Sequence, residues 1–357
     1  MEWQQYCRHC CKPPYLTDTT NLKCESITVA FAARVRTGIY SRGDIFQVET
    51  VTQALAAISK TIELANEPSP IYRAPEVYIL PLARCIEGMR QSDEPSIPQL
   101  AIPVTVPYEC YRRAYATTNH KAQATADLCI IAFFYLLRVG EYTTPRTVTR
   151  NGQQVRATRT IQFRVQDVGF FKEGKLLPRT SPLAALLEAD AATLKISNQK
   201  NGRMGQTVHH ETCPGATSPV RALARRIHHI LAHGGTNASI ISTYAPDRTV
   251  GQSTFTASTI ATISPSDMIT TIRSAVRTLK LHEAGIDPDL VGVHSLRAGG
   301  AMALKLRGKS DTTIMKIGRW SGLTFLDYIH NQIAHLSKDL STEMSIPIPF
   351  LNIASVN

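Results

Sequence analysis

The sequence predicts a mainly α chain with a small β-sheet or hairpin, an α+β class, divided into two units. Three observations predict it. Apolar residues recur at helical spacing through residues 26–92 and again from about residue 119, the pattern of helices with one buried face. One strong hairpin signal, Asn201-Gly202, stands between the strand-like residues Thr193, Leu194, Ile196 and Thr207, Val208, where a two-residue turn joins paired strands. Between residues 91 and 108 the chain places Pro95, Pro98, Pro103 and Pro107, which marks a semi-rigid linker.

Taken in order, residues 1–25 read as a ragged N-terminus. They hold Cys7, Cys10, Cys11 and Cys24, with His9 inside a C-x2-C spacing. This is either a zinc site without a well-spaced second pair or a set of reduced thiols. Residues 26–92 read as a small helical domain. Its helices are ITVAFAARVRTGIY, then VTQALAAISKTIELANE with Val51, Leu55, Ile58 and Ile62 on one face, then Ala74 to Arg90. Pro81 is expected to bend or interrupt the third. Residues 93–108 form the linker, 109–340 the larger domain and 341–357 a tail that is either a docking segment or a frayed end.

Within the larger domain, DLCIIAFFYLLRVGEY reads as a buried helix stopping at Gly140. Residues 158–172 read as strands, followed by the hairpin. Ser218 and Pro219 suit the cap and first turn of SPVRALARRIHHILAHG. Residues 235–263 have strand or loop character, a further helix runs from Ser266 to about Ala284, and the apolar run Leu296, Met302, Leu304, Leu306 reads as a loop entering another helix at His294.

Net charge is +11 and the pI about 9.3, the balance of a protein with a polyanionic partner. The charge is uneven: residues 1–105 hold 10 Lys and Arg against 11 Asp and Glu, the remainder 29 against 17. The basic surface therefore belongs to the larger domain. The polar start lacks the apolar core of a secretory signal, so secretion is not expected. The longest apolar run, Leu128 to Leu137, has ten residues, too few to span a bilayer. His209-His210 and His228-His229 suggest a metal, but adjacent histidines point to different sides and no acid completes a site. No metal is expected.

The chemistry is concentrated between Val291 and His335: His294-Ser-Leu-Arg297, then Gly-Arg-Trp320, then Leu-Asp-Tyr328-Ile-His. At i and i+3, His294 and Arg297 share a helix face. A guanidinium there can grip two oxygens of one phosphate, and the N–H groups of a helix start favour the same anion. Trp320 can donate its indole N–H to an oxyanion, although a core role is the ordinary one for tryptophan. Tyr328 lies beside the apolar stripe Leu323, Leu326, Ile329, Ile333 and reads either as a core residue or as a hydroxyl nucleophile.

These clusters together resemble the C-terminal half of the tyrosine recombinases, the phage-integrase family. The forms HSLRAGGA and GRWSGLTFLDYIH are most similar to recombinases of Crypton- and DIRS-type mobile elements. The resemblance spans roughly residues 108–336 and implies two more parts, an Arg after an apolar helix and a Lys on a hairpin. Arg138 in LLRVGE and Lys200 in QKNG stand in the right order; Lys195 and Arg203 compete with Lys200. Trp320 replaces the commoner His.

The resemblance implies a helical core-binding domain and a catalytic domain that acts without metal, ATP or other cofactor. Arg138 and Arg297 would clamp the scissile phosphate, Trp320 add a hydrogen bond, Tyr328 attack, Lys200 protonate the leaving oxygen and His294 assist as base or by positioning. Glu141 would orient Arg138. Arg34, Arg36, Arg42, Arg203, Arg221 and Arg225 are candidates for DNA contacts, each alternatively a solvated helix charge. The implied partner is double-stranded DNA, bound by a homo-tetramer, with no membrane partner; the implied location is the nucleus in a eukaryote, otherwise cytoplasm or nucleoid. Two alternatives stay open: a non-catalytic DNA-binding descendant of such an element, and a type IB topoisomerase-like enzyme.

Overall fold

The computed structural model describes residues 2–16, 21–38, 45–74, 77–94, 100–145, 147–150, 153–156, 160–196, 205–246, 260–320 and 322–326. It is mainly helical with small antiparallel sheets, as the α+β class requires. Two compact units are present, Met1–Ser96 and Ile97–Asn357. No helix among the described residues is long and apolar enough to cross a membrane.

The first unit begins with a helix, α1 (Glu2–His9), so its start is not ragged. Trp3 and Tyr6 are one helical turn apart and give α1 a buried face. Trp3 stands edge-on to Phe31 at 5.1 Å and donates Nε1–H to the Pro14 carbonyl at 2.8 Å. Cys7 is buried in the same core, and burial pushes its thiol up to about 11. Among the described residues the four N-terminal cysteines do not gather as metal ligands.

Next come α2 (Asn21–Arg36) and α3 (Val48–Leu64), with Val51, Leu55 and Ile62 in the core and Ile58 half-buried. The third helix does not start at Ala74. A two-stranded ribbon, β1 (Tyr72–Ala74) and β2 (Val77–Tyr78), precedes α4 (Leu80–Ser92). Pro81 falls in the first turn of α4, where its missing N–H has no intrahelical acceptor to satisfy. It starts the helix instead of breaking it.

In the second unit, α5 (Thr105–Ala114) takes up the end of the expected linker, with Pro107 buried in its first turn. Then follow α6 (His120–Phe134), α7 (Val139–Tyr142), the ribbon β3 (Thr147–Arg150) and β4 (Gln153–Arg156), β5 (Val168–Lys172), β6 (Lys175–Leu177), α8 (Leu183–Leu187), β7 (Ala191–Ile196) and β8 (Gln206–Glu211). The larger sheet has the order β6-β5-β7-β8, all antiparallel. Among the described residues of the strands expected over 158–172, the last five form one. The β7–β8 pair is the expected hairpin; its tip, with Lys200 and Arg203, lies outside the described residues.

The chain continues with α9 (Pro219–Ala232), β9 (Thr243–Tyr244), β10 (Ala261–Thr262), α10 (Pro265–Thr278), α11 (His294–Leu306) and α12 (Asp311–Gly318). Ser218 occupies the cap position of α9, but its hydroxyl accepts from Cys213 N–H instead of from the helix. Ser264 does cap α10, exchanging hydrogen bonds with Asp267.

α6 is the centre of this unit. Its N-terminus is capped by Asn119, whose side chain accepts from Ala122 N–H at 2.7 Å. All ten residues from Ala124 to Phe133 are buried, so the helix is covered on every side. α5, α9, α10 and α11 pack around it. A Cβ on Gly300 would overlap the Phe133 carbonyl and the Leu136 side chain, and one on Gly299 would overlap the Ile102 carbonyl. Gly300 therefore lets α11 lie against the backbone at the end of α6, and Gly299 lets it lie against the segment that precedes α5.

Two outcomes follow for stability. Gly300→Ala forces α11 off α6 and should destabilise by about 1–3 kcal/mol, read by urea unfolding; an unchanged midpoint would show that the contact can relax. His210 on β8 lies edge-on to Tyr135 at 4.6 Å, and burial lowers its pKa from 6.5 to about 4. The unfolded chain then binds the proton first, so stability should be lost as the pH falls from 6.5 towards 4. His210→Phe should flatten that slope, measured by unfolding across the same pH range.

Candidate active site

α6 stops at Phe134, not at Gly140, and the stop itself builds the site. Leu136 takes a left-handed conformation, φ 48°, which costs an L-residue of order 1–2 kcal/mol. It turns the chain sharply and presents its carbonyl to the interior. Arg138 then opens the short helix α7. Glu141, on the same turn, accepts from Arg138 N–H at 2.8 Å, while its own N–H donates to the Arg138 carbonyl at 2.8 Å. The Glu141 carboxylate also pairs with the Arg138 guanidinium at 3.4 Å.

Arg297 reaches this turn from α11. It is buried, and its two Nη groups donate to the carbonyls of Leu136 and Gly318. Its guanidinium lies over the Trp320 ring, 3.9 Å from the centroid. Trp320 is half-buried, tilted against Phe325 at 5.5 Å, with its backbone N–H on the Met315 carbonyl. The ring lies close against Gly318, where a Cβ would overlap it. The described role of Trp320 is thus a platform that holds Arg297 by a cation–π contact. His294 is the first residue of α11 and half-buried; helical geometry puts it one turn before Arg297 on the same side.

A third arginine joins them that the sequence reading passed over. Arg319 ends α12 in the left-handed region at φ 60°. Its Nη2 donates to Leu136 O at 3.1 Å and to Glu141 Oε2 at 2.9 Å. Arg138 in turn donates to the Arg319 carbonyl at 3.5 Å. Arg319 is 4% exposed, and its Nε and Nη1 have no hydrogen-bond partner. Burial lowers its pKa, opposed by Glu141. Arg next to Trp in Gly-Arg-Trp was visible in the chain, but arginine is ordinarily exposed. Only the left-handed turn after Gly318 sends it inward.

Three guanidinium groups therefore gather at one turn: Arg138 and Arg319 share the Glu141 carboxylate, and Arg297 joins Arg319 on the Leu136 carbonyl. Arginine donors set at one turn are the parts from which an oxyanion site is built. Arg138, Glu141, Arg297 and Trp320 are brought together from positions up to 182 residues apart. Tyr328, Lys200, Arg42 and Arg203 lie outside the described residues.

The expected DNA-contacting arginines fare differently. Arg225 is turned inward, paired with the buried Asp127 (Nε to Oδ1 2.9 Å) and stacked on Tyr111 and Tyr115 at 4.8 and 5.1 Å. Arg221 donates to the carbonyls of Leu187, Cys213 and Gly215. Arg36 pairs with Asp93 and donates to the Phe46 carbonyl. These three tie loops to helices, because helix-end carbonyls and a buried acid lie within their reach. Arg34 is half-buried, over the Tyr6 ring at 5.5 Å.

No protein-family model matches the chain, and no curated protein does. Solved structures do. The Tn1549 transposon integrase in complex with transposon right end DNA has a TM-score of 0.42 at 11% identity, covering 89% of this chain and 85% of its own. The same integrase with circular intermediate DNA has 0.40 at 11%, covering 85% and 80%. The XerA recombinase has 0.38 at 13%, covering 92% and 100%.

Glu141→Gln leaves Arg319 buried without its anion. It should cost about 3–5 kcal/mol, measured by chemical unfolding. A loss below about 1 kcal/mol would mean that the carboxylate does not hold the cluster.

Proposed function

We propose that the chain is a site-specific DNA recombinase of the tyrosine-recombinase type. One observation carries the reading: Arg138 and Arg297, the two arginines singled out by the motif resemblance, meet at one turn although they are far apart in sequence. The basic balance of the larger domain adds a reason to expect DNA as the partner.

In this reading Arg138 and Arg297 hold the two non-bridging oxygens of the scissile phosphate and stabilise the charge that grows in the pentacovalent transition state. Tyr328 attacks phosphorus and forms a 3′-phosphotyrosyl bond, while the 5′-oxygen leaves with a proton from Lys200. His294 takes or positions the tyrosine proton. The covalent link conserves the phosphodiester, so a 5′-hydroxyl of a partner strand rejoins the DNA by the reverse step. Arg319 supports the site through Glu141 and the Leu136 carbonyl.

The resemblance to Crypton- and DIRS-type enzymes favours integration or excision of a mobile element. It also favours action as a tetramer on DNA and, in a eukaryote, in the nucleus.

The test uses labelled DNA from the flanks of the coding region, nicked beside the scissile phosphate, with EDTA present. An SDS-resistant protein–DNA adduct is expected. Tyr328→Phe should abolish it and keep DNA binding, and Arg297→Ala should slow its formation roughly 10²–10³-fold. Adduct formation unchanged in Tyr328→Phe would remove the proposed nucleophile; salt-sensitive binding with no adduct on any nicked substrate would favour the non-catalytic binder.

A further inference from the structure

A second cluster lies at the opposite end of α6. His120 is the first residue of that helix. His229 and His233, four apart at the end of α9, project from one helix face towards it. The rings are 4.9, 5.3 and 4.3 Å apart, centroid to centroid. One ligand nitrogen from each lies within 4.8 Å of the others, and all three residues are half-buried. The sequence reading considered adjacent histidine pairs; the residues that meet are instead one member of a pair, its i+4 neighbour and a histidine from another helix.

The tautomers are set by backbone groups. His120 Nδ1 is 3.1 Å from the Ala245 carbonyl and His233 Nδ1 is 2.8 Å from the His229 carbonyl. A carbonyl only accepts, so both Nδ1 atoms carry a proton, which leaves Nε2 as the ligand nitrogen of each ring. Imidazoles that ligate metals are held this way, by donating the other ring N–H to an oxygen. His229 Nε2 also bears its lone pair, since it accepts from Ala245 N–H at 3.1 Å.

We propose that His120, His229 and His233 form a three-histidine site for a divalent transition-metal ion of the zinc type, with water in the fourth position. Imidazole suits zinc, cobalt, nickel and copper over magnesium or calcium. Zinc–nitrogen bonds of about 2.0–2.1 Å put tetrahedral ligands roughly 3.4 Å apart. The rings therefore close by about an ångström, and His229 exchanges its contact with Ala245 N–H for the ion. The ion ties the start of α6 to the end of α9. The far end of α6, about 22 Å along the helix at 1.5 Å per residue, leads into Leu136 and Arg138. The site is structural, and it stands or falls independently of the recombinase reading.

The full chain, stripped with EDTA and desalted, would be titrated with Zn²⁺ by calorimetry and with Co²⁺ by visible absorption. One equivalent of each should bind. At Zn²⁺ a hundredfold above Kd, the unfolding midpoint should rise by about 5–10 °C. The Co²⁺ complex should show d–d bands without a thiolate charge-transfer band. His233→Ala and, separately, His120→Gln should abolish the bands and the shift, with circular dichroism checking that each folds. No saturable binding, binding retained in both variants, or a thiolate band removed by Cys7 or Cys10 substitution would each overturn the site; the last would assign the metal to the N-terminal cysteines.

Discussion

The carbonyl of Leu136 is the point on which the candidate site depends. Arg297 from α11 and Arg319 from the end of α12 both donate to it, and Arg138 follows two residues later. That carbonyl faces inward because Leu136 occupies the left-handed region, an unfavourable place for a bulky side chain. Buried hydrogen bonds from two charged donors offset the strain. A second left-handed residue, Arg319, mirrors it on the opposite wall. Strained backbone at two facing turns is what a preset binding pocket requires when no regular element ends in the right direction.

Packing makes this meeting possible. Arg297 reaches Leu136 because α11 lies against the α6 backbone, and that approach needs hydrogen rather than a methyl at Gly300, as the approach to the Ile102 carbonyl does at Gly299. Gly318 serves the same purpose for Trp320, whose ring then supports the Arg297 guanidinium. The small residues around the cluster thus act through distance: each lets a large or charged neighbour come close.

The two ends of α6 show two ways of handling polar groups in a crowded interior. At its C-terminal end, Arg138 and Arg319 share the Glu141 carboxylate, while Arg297 donates to the Leu136 and Gly318 carbonyls. Near its middle, Asp127 and Arg225 match each other and are further satisfied by Tyr115, whose hydroxyl donates to Asp127 at 2.6 Å. At its N-terminal end three imidazoles converge, two of them held through Nδ1 by backbone carbonyls and the third accepting from Ala245 N–H.

Much of this was legible in the chain. Helical periodicity placed α3 and α9 to within about three residues, and Asn201-Gly202 placed the β7–β8 pair, because amphipathic spacing and turn chemistry are local properties. Arg138, Glu141, Arg297 and Trp320 were named from motif order alone. What the sequence could not determine depends on contacts between remote residues. The helix expected to run to Gly140 ends at Phe134, since α11 needs the Leu136 carbonyl turned inward. Trp3 and Tyr6 order a start that polarity alone marks as ragged, because Phe31 is there to cover them. Arg225 and Arg221 look like surface charges until Asp127 and the loop carbonyls are beside them. Local pattern determined the elements; the tertiary structure decided which buried charges have partners, because a side chain's electrostatic environment is set by neighbours that sequence distance does not reveal.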